Sequence, residues 1–222
     1  MDYHFTKNTK LNMMTVSIKE AEAYTNWIFS KNHKDYKKDL PHFDRNLVSI
    51  KNKMKKYSLN IPRIAMPVIE PKDMNKFEKD INKGIIDIFA PYIPGKSIFP
   101  EHYYSTVEKK YGTNIKNLHK LHPLIKYVPA NTLKPLQNQI WLDKVDGYLI
   151  QWGVPKGGSP TVTSTIIVSK EKYILDGHHR WAEVMLSKPS LKMKIFYIPI
   201  NLKQLLELTK VYGEAIGNKP NA

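Results

Sequence analysis

Asp176-Gly177-His178-His179-Arg180 gathers a carboxylate, a glycine, two imidazoles and a guanidinium into one short stretch. It follows the apolar run Tyr173-Ile174-Leu175 and precedes Trp181-Ala182-Glu183-Val184-Met185-Leu186, a pattern that predicts a strand, a glycine turn and a helix start. The first N–H groups of a helix lack intrahelical partners and carry a partial positive charge, so an anion placed there is stabilised before any side chain helps. The imidazoles and the guanidinium add donors suited to phosphate-like oxygens. Asp176, at the strand end, could hold a metal ion or a hydroxyl.

The elements that must position this turn are also legible. Lys126 to Val128 and Ile166 to Val168 are predicted as strands, with Tyr173 to Leu175 and Met193 to Ile200 completing a small sheet. Trp141 to Trp152 has the periodicity of an amphipathic helix with Val145, Leu149 and Trp152 inward, and a second helix is expected from His178 to Leu186. Asn201 can cap a closing helix whose Leu202, Leu205, Leu206 and Leu208 face the core. Gly157-Gly158-Ser159-Pro160 is expected to be a flexible loop near the anion site, either covering a ligand or forming a plain surface turn.

Residues 1–122 are predicted to be mostly helical and to pack on the later unit, 123–222. Ser17-Ile18-Lys19-Glu20 has capping-box form ahead of Ala21, Tyr24, Trp27 and Ile28. Leu47, Ile50, Met54 and Tyr57 form a second stripe, and Met74, Phe77 and Ile81 a third. Prolines 62, 67 and 71, and the stretch from Ala90 to Pro100, predict extended or looped chain.

Composition bounds the function. The 222 residues carry a formal charge of +15, from 35 Lys and Arg against 20 Asp and Glu, which favours polyanionic partners or marks a lysine-rich solvated surface. The absence of cysteine excludes thiol chemistry. No apolar run reaches the roughly 20 residues needed to span a bilayer, so a soluble cytoplasmic protein without a membrane partner is expected. No HExxH, zinc-finger spacing, Walker A loop or GxGxxG occurs, and His119 with His122 is only a weak metal spacing. Adjacent histidines on a helix diverge by roughly 100 degrees, so His178 and His179 are not expected to share one ion. The segment Lys31 to Lys56 holds nine Lys or Arg and three Asp among Tyr36, His42 and Phe43; Lys51, Lys53, Lys55 and Lys56 are its candidate nucleic-acid contacts, against a solvated helix face.

The block Ile174-Leu175-Asp176-Gly177-His178-His179-Arg180-Trp181-Ala182-Glu183-Val184-Met185 resembles the signature box of the ParB/sulfiredoxin-like superfamily. Upstream, Leu133-Lys134-Pro135-Leu136-Gln137-Asn138-Gln139-Ile140 resembles the first family box, and the likeness covers about residues 125 to 200. It implies an α+β fold with a small mixed sheet, the second box cradling nucleotide phosphates. Sulfiredoxins carry their catalytic cysteine where this chain has His178; the plasmid-partition branch has an arginine where Gln139 stands, and a helix-turn-helix region that is not seen here. The free-serine kinase branch shares Asp176 to Ala182 letter for letter, yet its general-base glutamate is matched here by Gln137, an amide that cannot accept a proton.

What the resemblance implies is a protein that handles ATP or ADP with Mg²⁺ and carries out phosphoryl transfer or hydrolysis. Asp176 and His178 would be catalytic, Asp176 also touching the metal; Gly177, His179, Arg180, Lys134 and Gln137 would hold the nucleotide. The alternatives are a DNA-binding ParB-like nuclease or DNA-associated module, and a pseudoenzyme that keeps the fold for protein contacts.

Overall fold

The computed structural model describes residues 3–61, 66, 69, 71–82, 94, 95, 101, 102, 104, 105, 109 and 124–218. His119 and His122 lie outside these residues, as does most of the two proline-rich stretches. The helices are α1 (Ile18–Lys31), α2 (Tyr36–Asp39), α3 (Phe43–Tyr57), α4 (Met74–Asn82), α5 (Leu142–Trp152), α6 (Pro160–Thr163), α7 (His178–Ser187) and α8 (Leu202–Ala215). The strands are β1 (Leu124–Pro129), β2 (Lys134–Pro135), β3 (Ile166–Val168), β4 (Tyr173–Ile174) and β5 (Lys192–Tyr197), in spatial order β1-β5-β3-β4-β2. The class is α+β with a mixed five-stranded sheet.

Alternation along the strands sends neighbouring side chains to opposite faces of the sheet. Ile166, Val168, Ile174, Met193 and Ile195 enter one core, whereas Ile167, Leu175, Phe196 and Ile198 enter another. The first core is closed by α1, α3, α5 and α7, the second by α4 and α8, giving helices on both sides of the sheet. All three residues of β3 are fully buried, as a strand covered on both faces requires.

Local signals set the helix ends. The Ser17 hydroxyl accepts from the Glu20 N–H, and Asn201 with Gln204 forms a reciprocal capping box at the start of α8. Leu47, Ile50 and Met54 bury the expected face of α3. On α5, Val145 and Leu149 are buried as predicted, but Trp152 is only half-buried and stacks on Tyr148 at 4.6 Å. The predicted Gly157 to Pro160 loop is a turn that runs directly into α6, with Ser159 as N-cap.

The N-terminal segments are tied to the chain before α5 and to α7 by hydrogen bonds as well as by apolar contact. Met13 donates to Ile140 O (2.8 Å), Leu142 to Leu11 O (2.8 Å) and the Asn12 amide to Asn138 O (3.0 Å). Buried Asn46 on α3 donates to Leu186 O at the end of α7 (2.8 Å). Each such bond to a buried carbonyl contributes about 0.5–1.5 kcal/mol and removes a larger desolvation cost.

Candidate functional site

Strand β4 delivers Asp176 to the sheet end, and Gly177 makes the turn into α7. Gly177 has φ +97°, in the left-handed region where a side chain is strained, and an added Cβ would lie 2.2 Å from Ile166 Cγ2. Only glycine fits against β3 here. The first intrahelical bond of α7 runs from Trp181 N to Gly177 O, so the N–H groups of the preceding helical residues point out past the cap.

Each side chain of this turn reaches a different segment. Arg180 donates to Asp176 Oδ2 (3.0 Å), Ser164 O (3.0 Å) and Thr165 O (3.3 Å), which holds the guanidinium between Asp176 and the segment before β3. The Asp176 side chain keeps 35% of its surface exposed, so the pair is open to solvent on the carboxylate side. Trp181 is fully buried and donates its indole N–H to Ala130 O (2.9 Å).

The histidines are engaged inward. His178 Nε2 accepts from the Leu136 N–H (3.0 Å) and the Gln137 N–H (3.3 Å), both in the first box. His179 Nε2 accepts from the Trp141 N–H (3.1 Å) just before α5. Because His178 Nε2 faces two donors, the neutral ring carries its proton on Nδ1, a buried atom with no hydrogen-bond partner among the described residues. Burial pushes the His178 imidazole down to about 3, so it stays neutral. In this arrangement His178 ties the two boxes together through Nε2, which main-chain donors occupy.

Gln137 is brought beside His178 as the motif spacing requires; its side-chain oxygen is buried without a partner among the described residues. Lys134 sits level with Tyr173 in the β2/β4 pair and points its ammonium at the Tyr173 ring (5.2 Å) and the Tyr57 ring (5.5 Å). Of the basic residues on α3, Lys53 and Lys56 approach the same Tyr57 ring, whereas Lys51 donates to Val16 O and Lys55 is exposed. Asp176, Gly177, His178, His179, Arg180 and Gln137 therefore share one locality, and Lys134 heads an adjoining cationic patch.

Two buried acids escaped the sequence reading. Glu183, one turn beyond Arg180, has both oxygens 3.0 Å from Thr161 Oγ1, and burial pushes its carboxyl up to about 8 against that bond and the Arg180 charge. Asp146 on α5 accepts from Thr25 Oγ1 (2.8 Å) and is likewise pushed up to about 8 by burial. The signal was available for Asp146: it stands on the apolar stripe Leu142, Val145, Leu149, where a charge is out of place. Glu183 stands in the same way inside the apolar run of α7.

No helix among the described residues is long and apolar enough to cross a membrane, and no group of three or more metal-ligating side chains occurs among them. Comparison with protein-family models, with curated proteins and with solved structures finds no match.

Proposed function

We propose that the chain binds a nucleotide, ATP or ADP, by its phosphates at the Asp176–Arg180 turn and transfers or hydrolyses the terminal phosphoryl group. The observation that supports this most is the Arg180–Asp176 pair at a glycine-capped helix start, with the carboxylate half-open to solvent. Main-chain N–H groups of α7 and the Arg180 guanidinium would meet phosphate oxygens, and preorganised donors of this kind stabilise charge that develops in transfer. Phosphoryl transfer needs chiefly positioning and charge neutralisation, so the amide at Gln137 is compatible with hydrolysis or with an acceptor that loses its proton elsewhere.

The donor set fits a magnesium ion carried on the nucleotide. Mg²⁺ commonly takes one or two protein carboxylates beside substrate phosphates and water, and Asp176 is the exposed carboxylate of the turn. When bound, the ion supplies neutralisation of phosphate charge. Arg180 keeps the Asp176 carboxylate oriented, and His178 and His179 fix the turn against the first box and α5.

Calorimetry with Mg²⁺ and ATP or ADP tests the reading. Arg180→Ala should weaken binding at least about tenfold, since a charge-assisted bond is worth roughly 1.5–3 kcal/mol, in a protein whose melting curve still shows cooperative unfolding. Unchanged affinity in that variant overturns the assignment. Asp176→Asn should lose turnover far more than affinity.

A further inference from the structure

Lys53, Lys56 and Lys134 come from α3 and β2, yet their ammonium groups converge on one aromatic ring. They lie 5.7, 5.1 and 5.5 Å from the centre of Tyr57, and Lys134 is also 5.2 Å from the centre of Tyr173. The two rings meet edge to face at 6.3 Å and 89°. Such contacts give a cation a modest attraction to each ring face. They do not neutralise three like charges. Burial holds the Lys53 ammonium below its ordinary range; the Tyr57 phenol opposes this, Lys56 and Lys134 lower the group further, and no carboxylate among the described residues is a cause of the shift. Tyr57 in turn has its phenol lowered, first by a hydrogen bond to Lys56.

The fold enforces this convergence. Lys53 also donates to Leu133 O (3.2 Å), and Ser58 to Asn60 continue α3 alongside the first box, where Leu59 N donates to Leu136 O (3.2 Å). Lys134 is fixed opposite Tyr173 by the strand pairing. Lys53, Tyr57, Lys134 and Tyr173 are all half-exposed and Lys56 is exposed, so the patch faces solvent. Three cations set on two tyrosines match the alternation of phosphate and base along a nucleic-acid strand.

We infer that this lysine and tyrosine patch binds single-stranded nucleic acid, the lysines taking successive phosphates and the tyrosines contacting unpaired bases. A single strand is favoured over a duplex because rings reach base faces only where bases are unstacked from a partner strand. A strand is favoured over one small anion because the net charge of +15 attracts long polyanions through counterion release. The patch goes beyond the nucleotide reading of the Asp176 turn and shares with it only Lys134, which the resemblance assigns to the nucleotide.

Fluorescence anisotropy with a labelled oligothymidylate tests it, using the full chain at several salt concentrations. Lys56→Gln with Lys134→Gln should weaken binding about tenfold or more and reduce the salt slope by about 1.4, two contacts at roughly 0.7 each for a single strand. Tyr57→Leu should weaken binding about tenfold with the slope unchanged. Thermal melting checks that each variant is folded, and Lys38→Gln with Lys210→Gln, two exposed lysines elsewhere, serves as the charge control. An equal loss in that control overturns the inference, because diffuse charge alone would then account for binding. So does a duplex that binds as tightly as the strand while Tyr57→Leu has no effect.

Discussion

Thr25 Oγ1 donates to Asp146 Oδ2 across 2.8 Å in a fully buried contact between α1 and α5. One neutral hydroxyl does not offset the burial of a carboxylate, and the group is pushed up to about 8 from an ordinary 3.8. The folded state therefore holds its proton where the unfolded chain releases it. Stability from this group is complete below about pH 4 and declines as pH rises to about 8. Asp146→Asn removes the titration, so the variant should gain on the wild type by on the order of a few kcal/mol between those limits in urea denaturation. A constant difference across that range would mean that Asp146 is ionised in the fold.

His178 acts with the opposite sign. Its folded value of about 3 lies below the ordinary 6.5, so its contribution is complete above about pH 6.5 and is lost as pH falls toward 3. His178→Ala should cost about 2–4 kcal/mol at neutral pH, because the Leu136 and Gln137 N–H groups lose their acceptor and a buried ring is removed. The deficit should shrink in acid. Chemical denaturation at neutral and acid pH gives both numbers.

Gly177→Ala should destabilise the fold by about 2 kcal/mol or more, from left-handed backbone strain and the clash with Ile166. A change in melting temperature of less than about 2 °C would show that the turn relaxes without cost.

Gln137→Glu places a carboxylate where the resembling kinases have their base. Under the transfer reading it should create or raise phosphorylation of a small hydroxyl acceptor such as free serine, at some cost in stability because the site is buried. Under a nucleic-acid or purely hydrolytic role of the same site, the added charge should weaken phosphate binding. Measuring serine phosphorylation and duplex-DNA affinity in both forms separates the two. Absence of serine phosphorylation in both, with a salt-steep DNA affinity that drops in the variant, would falsify the transfer reading.

Local chemistry made much of the architecture legible. The unbroken apolar run Ile166 to Val168, the Ser17 and Asn201 caps and the stripe on α3 each state a local pattern or a hydrogen bond that needs no distant partner. The strand, turn and helix around Gly177 followed from its sequence for the same reason. Long-range partners were not legible. Nothing in the string His178-His179 shows that the acceptors face Leu136, Gln137 and Trp141 rather than an outside ligand, since those donors lie about forty residues away. The meeting of Lys134 with Lys53 and Lys56 on Tyr57 likewise depends on how α3 is laid beside β2.

Consecutive residues of α7 each hold a separate piece of chain: His178 the first box, His179 the entry to α5, Arg180 the Ser164–Thr165 loop and Trp181 the Ala130 turn. A chain of this fold under pressure only to remain folded would keep those side chains after its ligand had become irrelevant. The His-His-Arg-Trp string is thus held by architecture whatever the turn binds, and substitution has its freedom at Asp176, Lys134 and the loop surfaces around them.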